Sequence, residues 1–319
     1  MLKSKRIEKF DFLKVWCMML VVVVHTLINS YGDVSQEIIR FFCLCYTMPM
    51  FAFISGWFSK EKSDLKKNVK HLLLPCIVMT IVNDVIMYAV NPQYHLNVLT
   101  PGFAMWYLWA LFVYRSILPF IVRIPHVIFL SFILSWVVGF IPQINANFSA
   151  SRIVCFLPYF LLGHKMASDV QWSKIHDNIM KPMKIYMGGV FLLIVFMSWW
   201  LFILLFPGHT IATGFNSGFG LSLKGLLLRI ALQITILLTG YIVIRMTPDK
   251  QTRISIYGDR TMNVYLLHSL VVLPFAYLVF PAFGEAAVIQ KLLMIVIPTS
   301  ICMLFFTRPV DELMKRLLR

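Results

Sequence analysis

The stretch DFLKVWCMMLVVVVHTLIN, Asp11–Asn29, decides how this chain is read. Val15 to Val24 is an uninterrupted apolar run, with Asp11 and Lys14 before it and His25 behind it. A helix rising about 1.5 Å per residue carries His25 roughly 21 Å along from Asp11. A bilayer hydrocarbon core is about 30 Å thick, so His25 is expected past the midplane, nearer the far face. An ionisable residue at that depth is a functional-site hypothesis by default. The structural alternative is a neutral histidine bonded to a neighbouring helix.

The rest of the chain follows the same pattern. Of its 319 residues 59% are hydrophobic and 13% charged, and the mean hydropathy is +0.78. A soluble domain carries about 25% charged residues. The expected fold is all-α: a polytopic membrane helix bundle forming one domain over residues 1–319. Ten apolar stretches are expected to span, at about 11–29, 38–58, 71–90, 103–122, 126–141, 152–168, 184–206, 226–246, 261–281 and 287–307. With the N-terminus cytoplasmic, all of the 29 basic residues except Arg40, Arg152, Lys224, Arg229 and Lys291 fall on inner segments or inner span ends. That asymmetry places both termini in the cytoplasm and accounts for the net charge of +15 without nucleic acid. Membrane lipid is the expected partner of the basic segment Ser59–Lys70. The Gly-rich outer loop Pro207–Lys224 is polar enough to line an entrance. The six cysteines sit in apolar runs and form no CxxC or zinc spacing, and the histidines show no ligand spacing, so no metal site is expected.

Depth along each span groups the remaining polar residues. His25 lies fourteen residues beyond Asp11, and Asp84 thirteen beyond His71; both spans run outward, so the pair reaches similar depth. A carboxylate beside an imidazole fixes its tautomer and raises its basicity. Asp84 is therefore the expected catalytic partner of His25, and a charge pair locking two helices is the alternative. Arg152 and Arg229, near outer span ends, are candidates to stabilise developing negative charge or hold a substrate. Snorkelling to head groups competes with that reading. On the inner side Lys14, Lys67, Lys70, His71, Arg115 and His268 form a group suited to a cytosolic polyanion. Trp106, within Met105-Trp106-Tyr107-Leu108-Trp109, could stack on a sugar ring or belong to an interfacial aromatic belt.

Five stretches together resemble the acyltransferase-3 family of integral membrane acyltransferases, in its fucose 4-O-acetylase-like branch. They are Asp11-x-Leu13-Lys14 leading to His25, Met48-Pro49-Met50-Phe51-Ala52-Phe53-Ile54-Ser55-Gly56-Trp57-Phe58, and Trp106-Tyr107-Leu108-Trp109-Ala110-Leu111-Phe112. Phe156-Leu157-Pro158-Tyr159-Phe160-Leu161-Leu162-Gly163 is the fourth, and Gly258, Thr261 and Tyr265-Leu266-Leu267-His268 the fifth. The resemblance implies transfer of an acyl group, usually acetyl from acetyl-CoA, to a surface or lipid-linked carbohydrate at the plasma membrane. It implies that His25 is the catalytic base and that basic residues near the third span handle the donor; Asp11, before the apolar run, is grouped with Trp106, Arg152 and Arg229 as a substrate-binding candidate. Where relatives carry an Arg-x-x-Arg-like pair this chain has Lys67-Asn68-Val69-Lys70-His71. Lysine supplies the charge without the bidentate fork. No permanently bound cofactor is expected, and the reading leaves room for a homo-oligomer. The rival from another class is a secondary transporter or exporter that uses His25, Asp84 and Arg115 as a substrate or proton path.

Overall fold

A computed structural model describes residues 6–27, 34–61, 64–91, 93–94, 101–141, 144, 147–205, 222–279 and 288–317. Among them there is no β-strand. The long helices are α1 (Glu8–Leu27), α2 (Val34–Trp57), α3 (Leu65–Val90), α4 (Phe103–Ile121), α5 (Val127–Val138) and α6 (Ala150–Ser168). After them come α7 (Val170–Met180), α8 (Ile185–Leu205), α9 (Leu223–Met246), α10 (Thr261–Val279), α11 (Val288–Met303) and α12 (Arg308–Leu317). Four of these, α3, α4, α9 and α10, are each long and apolar enough to cross a membrane by themselves. The pair α7 and α8, bent by 98° at residues 181–184, passes the same test jointly. The loop residues 206–221 lie outside the described part of the chain.

The apolar runs become helices because a membrane-embedded backbone must satisfy its own N–H and C=O groups. The outward faces stay apolar. Ile81, Val85 and Tyr88 on α3, and Leu193, Ile194 and Met197 on α8, are large exposed side chains of this kind. The inward faces build a large core in which Met18, Val22, Met105, Leu108, Tyr114, Phe160 and Leu266 are almost completely buried, and a second, smaller one around Phe10, Phe53 and Trp57.

The closest helix pair is α2 with α6. A Cβ at Gly56 would lie 1.9 Å from the Phe160 carbonyl oxygen, and one at Gly163 would lie 2.0 Å from the Phe53 carbonyl oxygen. Small residues let membrane helices touch backbone to backbone, and here a glycine on each helix meets a carbonyl of the other. The Ser59 carbonyl also accepts a bond from His164 Nδ1–H at 3.0 Å just beyond the crossing.

At the end of the bundle where α1 begins, charge holds the elements together. Asp11 is shared by Arg6 Nε at 2.6 Å and Lys14 Nζ at 2.5 Å. Arg6 Nη2 donates to the Ser255 carbonyl at 2.7 Å, and Ser255 Oγ donates to Glu8 at 2.6 Å. Lys9, 1% exposed, reaches Asp249 at 2.7 Å and the Met180 carbonyl at 2.9 Å. The amphipathic α12 is fixed by Asp311, which accepts from Asn263 Nδ2 at 3.1 Å and from Lys315 Nζ at 2.5 Å. Burial alone pushes the Asp311 carboxyl up. The bonds from Lys315 and Asn263, with the charges of Lys315 and Arg260, outweigh it and hold the group below the usual carboxylate range.

Candidate active site

The segment Ser255–Gly258 sets the register between α1 and α10. A Cβ at Gly258 would lie 2.4 Å from that of Asp11, so the lead-in to α10 abuts the start of α1. From that shared level the chain climbs fourteen residues to His25 on one side and ten to His268 on the other. The two imidazoles meet. His268 Nε2 and His25 Nδ1 lie 3.2 Å apart, the ring centroids are 5.1 Å apart, and the planes are inclined by 29°. His268 has no exposed surface, and its Nδ1–H donates to the Tyr265 carbonyl at 2.7 Å, with the Val264 carbonyl at 3.2 Å.

The wall around this pair comes from the extended residues 101–102 and the 3₁₀ turn Phe103–Met105 that opens α4. The Phe103 ring lies 4.6 Å from that of His25 and 5.6 Å from that of His268. Phe103 has φ of +49°, a left-handed conformation that costs a non-glycine residue about 1–2 kcal/mol. The Tyr265 hydroxyl donates to the Ala104 carbonyl, which ties this run to α10. The Cys76 thiol meets the Met105 carbonyl at 3.4 Å. Cys76 is eleven residues into α3, so α4 starts about 16 Å along α3, well short of its far end. Trp106 is accordingly inside the bundle, 9% exposed, with the Arg152 guanidinium 5.2 Å over its ring. The Arg152 charge reaches His25 electrostatically. His25, His268, Phe103 and Tyr265 thus pack together, and Arg152, seated on Trp106, lies within electrostatic reach of His25.

The other sequence-derived candidates distribute differently. Asp84 accepts from the Tyr94 hydroxyl at 2.6 Å, and Gly102 faces its carboxylate, with a Cβ there 3.1 Å from Oδ1. Gly102 turns toward Asp84 and Phe103 toward His25, so this run stands between the two residues paired by depth in the sequence. His25 finds an imidazole from α10 instead. Burial first, and then the bond to Asp84, push the Tyr94 phenol up. Asp11 is engaged by Arg6 and Lys14, as above. Lys14 also sits 5.9 Å over the Phe58 ring.

Lys67, Lys70 and His71 are exposed along the first turns of α3, which Asp64 caps by accepting from the backbone N–H groups of Lys66 and Lys67. Residues Val69–Leu73 form a π turn within α3, a feature frequent at functional sites. Ten residues back from Cys76 and ten on from Met105 bring Arg115 level with Lys66, and α4 touches that turn of α3. Arg115 Nε is buried and meets no hydrogen-bond acceptor among the described residues. His268 does not join this group. Arg229 is 1% exposed and belongs to a separate network between α5 and α9, where its Nη1 donates to the Trp136 carbonyl at 3.0 Å. Trp136 Nε1 donates to Gln233 at 2.6 Å, and Gln233 Nε2 donates to Ser135 at 2.9 Å. The apolar cavity of about 170 Å³ lined by Tyr46, Met50, Phe53, Tyr159 and Tyr241 is walled without His25 or His268.

Sequence reasoning missed Phe103 and Tyr265 as site residues. Pro101-Gly102 before Phe103 is a helix-breaking signal inside an apolar stretch, and it marks the run that walls the site. Tyr265 stands three residues before His268, which in a helix puts both on one face.

No curated protein and no solved structure matches the chain. A family model does: the acyltransferase domain of the acyltransferase-3 family matches residues 7–307. That match takes in every element that contributes to the paired histidines, and the chain belongs to the acyltransferase-3 family.

Proposed function

We propose that this membrane acyltransferase is an O-acetyltransferase of the fucose 4-O-acetylase-like branch. It moves acetyl from cytosolic acetyl-CoA to a hydroxyl of a cell-surface or lipid-linked carbohydrate. In this reading the chain crosses the plasma membrane ten times with both termini in the cytoplasm. The 20 residues of α1 and the 24 of α2 match the span lengths this requires. The observation that carries the proposal is the pair of imidazoles held 3.2 Å apart inside the bundle, with Arg152 within electrostatic reach of His25.

The chemistry follows from those groups. An acceptor hydroxyl is a weak nucleophile at neutral pH. His25 takes its proton as the oxygen attacks the thioester carbonyl, a contribution of about 10²–10⁴ in rate. Negative charge then develops on the former carbonyl oxygen, and Arg152 stabilises it. As the intermediate collapses the carbon–sulfur bond breaks and the sulfur of CoA recovers the proton from His25. Phe103, Trp106 and Tyr265 exclude water, which strengthens each electrostatic contact and suppresses hydrolysis of the thioester. At the other end Lys67, Lys70 and His71 meet the anionic part of CoA, with Arg115 deeper along the same path.

Purified protein in lipid nanodiscs, given radiolabelled acetyl-CoA and a panel of saccharide acceptors, tests this. Acetyl transfer is expected, and His25→Ala is expected to abolish it while leaving the unfolding temperature in place. Absence of both acetyl-CoA binding and acceptor labelling overturns the enzyme assignment to acetyl transfer. Undiminished transfer by His25→Ala removes His25 from the reaction.

A further inference from the structure

We infer that His268 is the positioning residue of the site: it fixes the tautomer of His25 and so leaves His25 Nε2 as the atom that takes the proton. The inference rests on the reading of His25 as the base.

The argument is a chain of donors and acceptors. The Tyr265 and Val264 carbonyl oxygens only accept, and both face His268 Nδ1, at 2.7 and 3.2 Å. His268 Nδ1 therefore carries a hydrogen. A neutral imidazole carries one hydrogen, so His268 Nε2 has a lone pair. That lone pair faces His25 Nδ1 at 3.2 Å. His25 Nδ1 must donate, and the second nitrogen of His25 is left with its lone pair free for a substrate proton.

The surroundings favour the neutral state of His268 that this chain requires. It has no exposed surface, and among the described residues no carboxylate pairs with either imidazole. Among the described residues the charged or titratable groups facing the pair are Tyr265 from α10, whose hydroxyl is committed to the Ala104 carbonyl, and Arg152 from α6. From the start of α4 the uncharged Phe103 ring faces it. A second buried cation beside Arg152 is costly.

When His25 takes the substrate proton, its Nδ1–H bond to His268 becomes charge-assisted and stronger. The negative ends of the Tyr265 and Val264 carbonyls lie on the far side of His268 and support that charge. His268 thus does for His25 what a buried carboxylate does in a hydrolase triad: it holds orientation and tautomer without taking the proton itself. The Tyr265 bond to Ala104 holds the turn of α10 that carries His268.

Histidine ¹⁵N NMR of the purified protein tests the inference without any substrate, with the His25 signal assigned by its loss in His25→Gln. Wild type is expected to show His25 protonated on Nδ1. In His268→Gln the amide oxygen can take the place of Nε2, so that tautomer is expected to persist. In His268→Phe, which fills the space without an acceptor, His25 is expected to revert to the Nε2–H form. Acetyl transfer is expected to fall about 10²–10⁴-fold in kcat for His268→Phe, with KM for acetyl-CoA unchanged, and to stay within about tenfold for His268→Gln. His25 protonated on Nε2 in the wild type overturns the inference, as does an unchanged Nδ1–H signal in His268→Phe. If His268→Phe does not fold, the wild-type tautomer and His268→Gln decide. Persistent transfer in His25→Ala with the expected tautomer removes the base reading but leaves the positioning contact, so the two failures are distinguishable.

Discussion

Replacing Gly56 and Gly163 by alanine, singly and together, gives a sharp test of how this bundle holds its site. The added Cβ atoms would lie 1.9 and 2.0 Å from carbonyl oxygens of the facing helix. Both neighbours are backbone, so no side chain can swing away, and α2 and α6 must part by roughly 1 Å. A gap of that size forfeits a quarter to a half of each affected dispersion contact, and overpacking of this kind costs about 1–3 kcal/mol. Alanine returns up to about 1 kcal/mol through its helix propensity at mid-helix Gly163. Gly163→Ala is therefore expected to destabilise by about 1–2 kcal/mol. The decisive quantity is the double mutant. One separation of the two helices relieves both clashes, so the double variant is expected to cost no more than the worse single one, a coupling of about 1–2 kcal/mol. Denaturant titration in a fixed micelle, followed by tryptophan fluorescence, measures all four proteins. Strict additivity refutes the reasoning, because it means that each clash is relieved locally. Activity supplies a second readout. Arg152 rides on α6, and a displacement of 1 Å at a reacting centre can cost about 10²-fold.

At Phe103, with φ of +49°, alanine loses the ring but keeps the strain, whereas glycine loses both. Phe103→Gly is expected to equal or exceed Phe103→Ala in unfolding midpoint, the reverse of the usual alanine advantage of about 0.5–1 kcal/mol. Arg152→Met is expected to lower kcat for acetyl transfer about 10²–10³-fold, with Arg152→Lys intermediate; equal kcat in all three proteins removes Arg152 from charge stabilisation. The Asp311 carboxyl is held below its unfolded value, so the unfolded chain binds more protons between the two values and stability rises with pH there. The gap in unfolding midpoint between wild type and Asp311→Asn is expected to be full above about pH 5 and to shrink below about pH 4. A gap that stays constant from pH 3 to 7 contradicts the Lys315 and Asn263 contacts.

Periodicity and apolarity made the all-helical membrane bundle legible, because a backbone in lipid has few alternatives. They also singled out His25, since a lone imidazole behind ten apolar residues is hard to explain otherwise. Its partner was not legible. Counting residues from an assumed span start put Asp84 at matching depth and His268 too far inward. The register that decides between them is set by Gly258 against Asp11, a contact between residues 247 positions apart. Trp106 was misplaced for a similar reason. An apolar stretch reads as a span end to end, yet α4 opens inside the bundle with a 3₁₀ turn at Phe103–Met105 before it becomes a regular α-helix at Trp106. The five motif stretches gave the family, and the structure adds why two of their glycines are needed: Gly56 and Gly163 are the points where α2 and α6 touch.

The irregular entry at residues 101–105, two extended residues and a 3₁₀ turn, is also what makes the site self-consistent. Non-helical backbone at membrane depth is tolerated only where protein satisfies its polar groups. Here the Ala104 carbonyl is satisfied by the Tyr265 hydroxyl, and the Met105 carbonyl by the Cys76 thiol. Tyr265 in turn offers its own carbonyl to His268. One residue therefore compensates the broken backbone with its side chain and orients the histidine pair with its main chain. Removing the hydroxyl, as in Tyr265→Phe, leaves the His268 contact to the Tyr265 carbonyl available but takes one of its two bonds from the Ala104 carbonyl, which still accepts from the Trp106 backbone N–H, a cost of about 0.5–1.5 kcal/mol. The expected result is a less stable protein in which His25 keeps its Nδ1–H tautomer. If the tautomer is lost instead, the α10 turn depends on that hydroxyl, and the backbone carbonyls alone do not hold His268 in place.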